Sequence, residues 1–172
     1  MRGNGDMRNS GQSGAPNLYD VSSAYTVSDQ QIMTEAKNYF RWQYDIVEPY
    51  LGARVVEIGC GIGNFTELLK RRPLEILGLD IDANCIAAHN QRFAGHDRIE
   101  ARQFDALGGD VREITPFAAD TIVCLNVLEH ISDDVGALRR HGLRLGQLQL
   151  VSAGTRHEHD RDRCDAAHRP ES

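Results

Sequence analysis

The sequence predicts an α/β fold, doubly wound around a mostly parallel sheet. Three observations lead there. Short apolar runs rich in β-branched residues alternate with segments of helical periodicity between about residues 29 and 150. The first run ends in glycines at alternate positions, "VVEIGCGIGNFTELL" (55–69), and a helical pattern follows at once. Acidic residues close the next two runs, at Asp80 and Asp105. Strands and helices in alternation join by right-handed crossovers, which makes neighbouring strands parallel.

Each element has its own warrant. Residues 1–28, rich in Gly, Asn and Ser, offer no periodic apolar face, and disorder is expected there. "SDQQIMTEAKNYFRWQYDIVEPYLG" places Phe40, Tyr44, Val47 and Leu51 at helical spacing, with Pro49 and Gly52 as stop signals. One helix is expected across it. Strands are expected at 53–59, 74–80, 98–105 and 120–126, and helices at 64–72, 82–93 and 132–144. Asp82 and Ser132 read as helix N-caps. "LGQLQLVSAG" (145–154) is a candidate fifth strand. The domain is therefore expected over 29–150. The tail of about 151–172, dense in His, Arg and Asp, lacks an apolar face at either period, so it too is expected to be disordered.

Composition narrows the function classes. A chain of 172 residues is long enough for one domain with a core. Its formal net charge of −6 is the wrong sign for gripping a phosphate backbone, so no nucleic-acid partner is expected. No apolar run approaches the roughly 20 residues that span a bilayer. Arg2 and Arg8 are followed by no apolar segment, so no secretory signal is read and no membrane partner is expected. The four cysteines, Cys60, Cys85, Cys124 and Cys164, are scattered, which suits a reduced, cytoplasmic chain.

The glycine loop carries the most information. A strand that ends in closely spaced glycines lets a ligand approach the backbone. A P-loop needs G-x-x-x-x-G-K-[ST], and no Lys-Ser or Lys-Thr pair follows here. A dinucleotide fingerprint needs a third glycine, at a position held by Asn64 or Thr66 according to register. The pattern present is E-x-G-x-G-x-G: Glu57, Gly59, Gly61 and Gly63.

With those residues in place, the chain resembles the class I S-adenosylmethionine-dependent methyltransferases, small-molecule types 11 and 12 in particular. The family implies a Rossmann-like sheet, S-adenosylmethionine as cofactor and a small-molecule acceptor. It carries over residue by residue. Gly59, Cys60, Gly61, Gly63 and Asn64 form the first motif. Glu57 would complement the cationic cofactor, which carries a sulfonium and an ammonium but no phosphate. Asp80, about 20 residues beyond the glycines, would accept from the ribose hydroxyls, with Ile81 beside it. "RQFDAL" resembles the adenine-binding turn, with Asp105 and Ala106 as candidates. "DTIVCLNVLEHISDD" resembles the fourth-strand motif. There Asn126 and Val127 would line the methionine part, and Leu128 to Ile131 would face the acceptor.

His130 is the candidate catalytic base, because its ordinary pKa suits proton removal near neutrality. The competing reading is that it packs or caps a turn. Tyr39, Phe40, Trp42 and Tyr44 read either as an aromatic lid or as core. His157, His159, Asp160, Cys164 and His168 are metal-ligand types but fit no closed zinc pattern, so no metal is expected.

The resemblance stops near residue 145. The family's sheet has seven strands, and the pattern here accommodates five. The expectation is a sheet incomplete on its C-terminal side, with a truncated or altered C terminus. An uncovered edge would favour self-association, with turnover weak or absent. Two alternatives follow: a non-catalytic remnant that at most binds the cofactor, or a nicotinamide-dependent oxidoreductase, which the missing third glycine disfavours.

Overall fold

A computed structural model of the chain describes residues 26–106, 108–130 and 149–153. Among them, five strands form one sheet in the order β3-β2-β1-β4-β5, every pair parallel. The strands are β1 (Arg54–Ile58), β2 (Glu75–Asp80), β3 (Ile99–Gln103), β4 (Thr121–Leu125) and β5 (Gln149–Ala153). The helices are α1 (Val27–Met33), α2 (Lys37–Val47), α3 (Thr66–Leu69) and α4 (Ala83–Arg92). The fold is the doubly wound one expected, and "QLVSA" is its fifth strand. The expected helix at 132–144 and both expected disordered segments lie outside the described residues, except at their inner ends: residues 27–28 belong to α1 and 151–153 to β5, so neither stretch is disordered as expected.

The strands β1, β2 and β4 are buried on both faces, as parallel strands covered on two sides must be, whereas β3 exposes Glu100, Arg102 and Gln103. On one face Val55, Ile76 and Val123 pack beneath Tyr44 and Val47 of α2 and Leu68 and Leu69 of α3. On the other, Val56, Leu77, Leu79 and Ile122 pack against Phe104, Val111 and Ile114 in the connection that returns the chain from β3 to β4. That connection contains two short 3-10 turns, Val111–Glu113 and Thr115–Phe117.

One expectation needs correction. The helix foreseen from Ser28 onward is two helices, broken over Thr34–Ala36. The cause is local. The carbonyl of Gln30, which would accept from the Thr34 N–H in a continuing helix, instead accepts from Thr34 Oγ1 at 3.3 Å and Asn64 Nδ2 at 2.8 Å. The Thr34 N–H turns to Gln31 O. A distant side chain takes the carbonyl, and no pattern in the helix itself announces that. Other boundaries agree to within a residue or two, except α3, which is shorter than its expected 64–72, and β5, which begins at Gln149 within its expected 145–154. Asp82 does cap α4, accepting from the Asn84 N–H at 2.8 Å.

Chain direction fixes where a ligand can sit. From β1 the chain winds outward through β2 to β3, then crosses to β4 on the other side of β1. The reversal between β1 and β4 opens a crevice at the carboxyl ends of the strands.

Leu77 lies in the middle of β2 and is fully buried. Leu77→Ala is expected to cost about 2–5 kcal/mol. Urea denaturation followed by circular dichroism should show the midpoint falling with an unchanged slope.

Candidate functional site

The glycine loop leaves the carboxyl end of β1 and is clamped to the end of β2. The N–H groups of Gly59 and Cys60 both donate to Leu79 O, at 2.7 and 3.1 Å. The Gly61 N–H donates to Asp80 Oδ2 at 2.8 Å. Gly59, Gly61 and Gly63 have φ of +73°, +53° and +85°, the left-handed region that glycine enters without strain. A side chain at these positions would also run into Val127, Gln30 and Phe93 respectively. Gly59 is exposed, so its backbone is open to a ligand, whereas Cys60 to Gly63 are buried.

Asp80 is half-buried and accepts twice from the backbone, from Gly61 and from the Asp82 N–H at 2.9 Å. Burial raises its pKa, while the N–H groups of Asp82 and Gly61 pull it down. These bonds leave part of the carboxylate's acceptor capacity for a ligand. Ile81, 49% exposed, sets an apolar side chain beside it. Asp105 and Ala106 follow β3, both half-buried, and the Asp105 carbonyl accepts from the Gly109 N–H at 2.8 Å.

Asn126 follows β4 with φ of +55°. Its Oδ1 accepts from Tyr39 Oη at 2.8 Å and from Gln43 Nε2 at 3.3 Å. Val127 packs beside Gly59. His130 closes the 3-10 turn Leu128–His130, half-buried, its N–H on Val127 O at 3.0 Å. The parallel strands thus bring Gly59, Asp80, Asp105 and Asn126 to one end of the sheet, on four adjacent strands.

Glu57 lies elsewhere. It is 4% exposed, on the face of β1 beneath the loop, and accepts from Thr66 Oγ1 at 2.6 Å. Thr66 Oγ1 also meets His89 Nε2 at 3.1 Å. Burial pushes the Glu57 carboxyl up to about 8, and the Asp80 charge adds to the rise, while the Thr66 hydroxyl opposes it. Burial, with Arg92 assisting, pushes His89 down to about 4. At neutral pH, His89 is uncharged and the Glu57 carboxyl is largely protonated. The Cys60 thiol, buried in the loop, is driven upward and stays neutral.

Sequence reasoning missed three contributors. Gln30 of α1 lies over the loop, its Oε1 on the Ile62 N–H at 2.9 Å and its Nε2 on Cys85 Sγ at 3.3 Å. Gln43 and His89, both almost wholly buried, hold Asn126 and Thr66. The available signal was polarity out of place, since each of the latter two interrupts the buried stripe of its helix. Of the four aromatics, Tyr44 is core, Phe40 packs against the core, Tyr39 reaches Asn126 and Trp42 is 56% exposed. Among the described residues, no group of His, Cys, Asp or Glu could hold a metal ion. The histidines of the tail lie outside those residues.

The methyltransferase domain family matches residues 56–146, more than half of the chain. This protein belongs to that family. Its glycine loop, β2 acid and β4 end all fall inside the matched segment. A ribosomal RNA small subunit methyltransferase A of Methanosarcina mazei is 36% identical over 95 residues, 55% of this chain and 33% of the relative. A ubiquinone biosynthesis O-methyltransferase of Paracidovorax citrulli is 27% identical over 97 residues, 55% of this chain and 40% of the relative. The chain therefore spans only about a third to two-fifths of these methyltransferases. A Methanococcus maripaludis crystal structure, solved as that of a candidate S-adenosyl-L-methionine-dependent methyltransferase, shares the fold. It superposes with a TM-score of 0.58 at 21% identity, over 76% of this chain and 64% of that one.

The methyltransferase core carries a pH signature. A carboxyl raised from 4.5 to about 8 on folding stabilises fully below 4.5, and that stability is lost as pH climbs through 8. His89, lowered from 6.5 to about 4, acts oppositely but only below 6.5. Between pH 6.5 and 8, then, Glu57 dominates this pair. Glu57→Gln should flatten the decline of stability over that window, a difference on the order of a few kcal/mol. Urea midpoints of both proteins at pH 6.5, 7.2 and 8 measure it.

Proposed function

We propose that this chain binds S-adenosylmethionine in the β1/β4 crevice and directs transfer of its methyl group to an O, N or C nucleophile of a small molecule. The observation that carries the reading is the convergence of Asp105, Asp80, Gly59 and Asn126 on the carboxyl edge of the sheet, just past the ends of the neighbouring strands β3, β2, β1 and β4. A nucleoside laid along that edge meets acceptors for its base amine and ribose, then a bare backbone. The chemistry of the donor set fits a cation: the loop 59–64 carries no Lys or Arg, and Asp80 stands at its side. The exposed backbone of Gly59 is compatible with close approach.

When bound, the cofactor supplies an electrophilic methyl on a positively charged sulfur. The chain's own tasks are then binding, orientation and exclusion of water, and positioning alone can contribute several kcal/mol. Asp80 takes the ribose hydroxyls through its remaining acceptor capacity, and Ile81 covers the nucleoside beside it. Asp105 and the Ala106 N–H hold the adenine edge. Val127 and Asn126 line the side nearest the transferred group. His130, just past β4, takes the proton when the acceptor is a hydroxyl. The relatives named as ubiquinone-pathway O-methyltransferases support an oxygen acceptor of small size. The acidic chain, at −6, argues against a polyanionic one.

Calorimetry with S-adenosylmethionine and S-adenosylhomocysteine tests the reading. Heat of binding is expected from both, and silence from both on folded protein overturns it. Asp80→Ala is expected to weaken binding at least about tenfold, as befits lost hydrogen bonds to a charged acceptor. With phenols, quinols and sugars as trial acceptors, His130→Ala should lower turnover while cofactor affinity stays within about twofold.

A further inference from the structure

A cleft of about 380 Å³ opens between α2 and α3, and methyl transfer in the crevice makes no use of it. Its walls carry Lys37 and Arg41 of α2, Arg71 just past α3 and Arg92 at the end of α4, against the single carboxylate of Glu67. Four cations to one acid is the reverse of the chain as a whole, at −6. A concavity lined by one sign of charge focuses its field and concentrates the opposite ion.

The local sequence builds this convergence. Lys37 and Arg41 stand four apart, so they share one face of α2. Arg92 is the last residue of α4, where a cation suits the exposed carbonyls of a helix end. Asn64 Oδ1 accepts from Arg92 Nη1 at 2.9 Å and holds that guanidinium in place before any ligand arrives.

The acids nearby do not neutralise the set. Glu67 is 2.8 Å from Lys70 Nζ, outside the cleft, and 3.7 Å from Arg92 Nη2. Lys37 meets Glu35 at 3.7 Å and Arg41 meets Asp45 at 3.1 Å, both in exposed pairs. Such pairs are worth little and exchange readily for a stronger anion. Among the described residues, no acidic group lies within ion-pair distance of Arg71.

The same cleft has an apolar part, lined by Phe40 and the buried Leu68. Its volume is at the small end of the range of about 300–1,000 Å³ typical of ligand pockets. Guanidinium forks match phosphate oxygens, and the three terminal oxygens of a phosphate ester accept from several directions at once. A carboxylate offers only one plane. Cations that approach from α2, α3 and α4 suit the phosphate.

We propose that this cleft is a second ligand site, for a small phosphate ester. The phosphate lies among Lys37, Arg41, Arg71 and Arg92, and the organic part rests on Phe40 and Leu68. None of Asp80, Asp105 and Asn126 lines the cleft, so the site is separate from the crevice at the carboxyl ends of the strands.

Calorimetry on the full chain at low ionic strength, with phenyl phosphate and inorganic phosphate as probes, tests the proposal. Saturable binding of phenyl phosphate is expected, about fivefold or more tighter than inorganic phosphate because the ring is buried. The double variant Arg41→Gln/Arg71→Gln should weaken phenyl phosphate by about tenfold or more. The control Arg102→Gln/Arg112→Gln removes the same charge from exposed side chains outside the cleft and should stay within about twofold. Circular dichroism reports the fold of each variant. No saturable binding by the unaltered chain overturns the proposal. So does a cleft variant that binds like the unaltered chain, a control that loses as much as the cleft variant, or inorganic phosphate that binds as tightly as the ester.

Discussion

The fold's chemistry depends on one attachment: the backbone of the glycine loop is bonded to the end of β2. Three successive N–H groups, of Gly59, Cys60 and Gly61, find their acceptors in Leu79 O and the Asp80 carboxylate. A loop without side chains has little packing to hold it, and without those acceptors its amides would compete for water. The clamp sets the distance between the loop and Asp80 and gives the carboxylate its orientation. Asp80 therefore has a structural task of its own, holding the loop to β2. Any ligand that accepts the loop's hospitality meets a carboxylate already immobilised by the same loop.

Beneath the loop a second polar group is enclosed, and it works by proton occupancy. Glu57, Thr66 and His89 form a chain with no charge at neutral pH, because burial lifts one group and depresses the other. Thr66 Oγ1 spends its one proton on Glu57 Oε2, so the neutral His89 meets the same hydroxyl oxygen as a donor through Nε2–H. Ionising Glu57 would put a charge in a low-dielectric space beside Asp80, and that is what its raised pKa expresses. The acid of the E-x-G-x-G-x-G pattern thus packs the floor of the loop, while Asp80 is the carboxylate open to the crevice.

Much of this was legible in the sequence, and the reason is periodicity. Apolar runs, glycines and strand-end acids are local signals, and β1 to β5, α4 and the Asp82 cap all follow from them. What stayed hidden is non-local. The break between α1 and α2 comes from Asn64 taking the carbonyl of Gln30 across the fold. The enclosure of Glu57 depends on His89, 32 residues away, filling the space above Thr66. Gln43 and His89 did leave a trace, as polar residues on buried helical stripes, but a polar residue in a stripe identifies no partner until the helices are packed.

The two N-terminal helices bear on the same edge of the sheet from different sides. Gln30 of α1 accepts from the loop at Ile62, and α2 holds Asn126 through Tyr39 and Gln43. Helix α1 contributes no buried side chain of its own, so polar bonds to Ile62, Asn64 and Cys85 supply much of its anchorage. Helix α2 is different: Tyr44 and Val47 root it in the core. Rigid support thus lies on the β4 side of the crevice and lighter support over the glycines. Tyr39 and Gln43 therefore hold Asn126 from a helix that is itself fixed by the packing of Tyr44 and Val47 against β1 and β4, whereas Gln30 reaches the loop from a helix fixed mainly by its polar bonds.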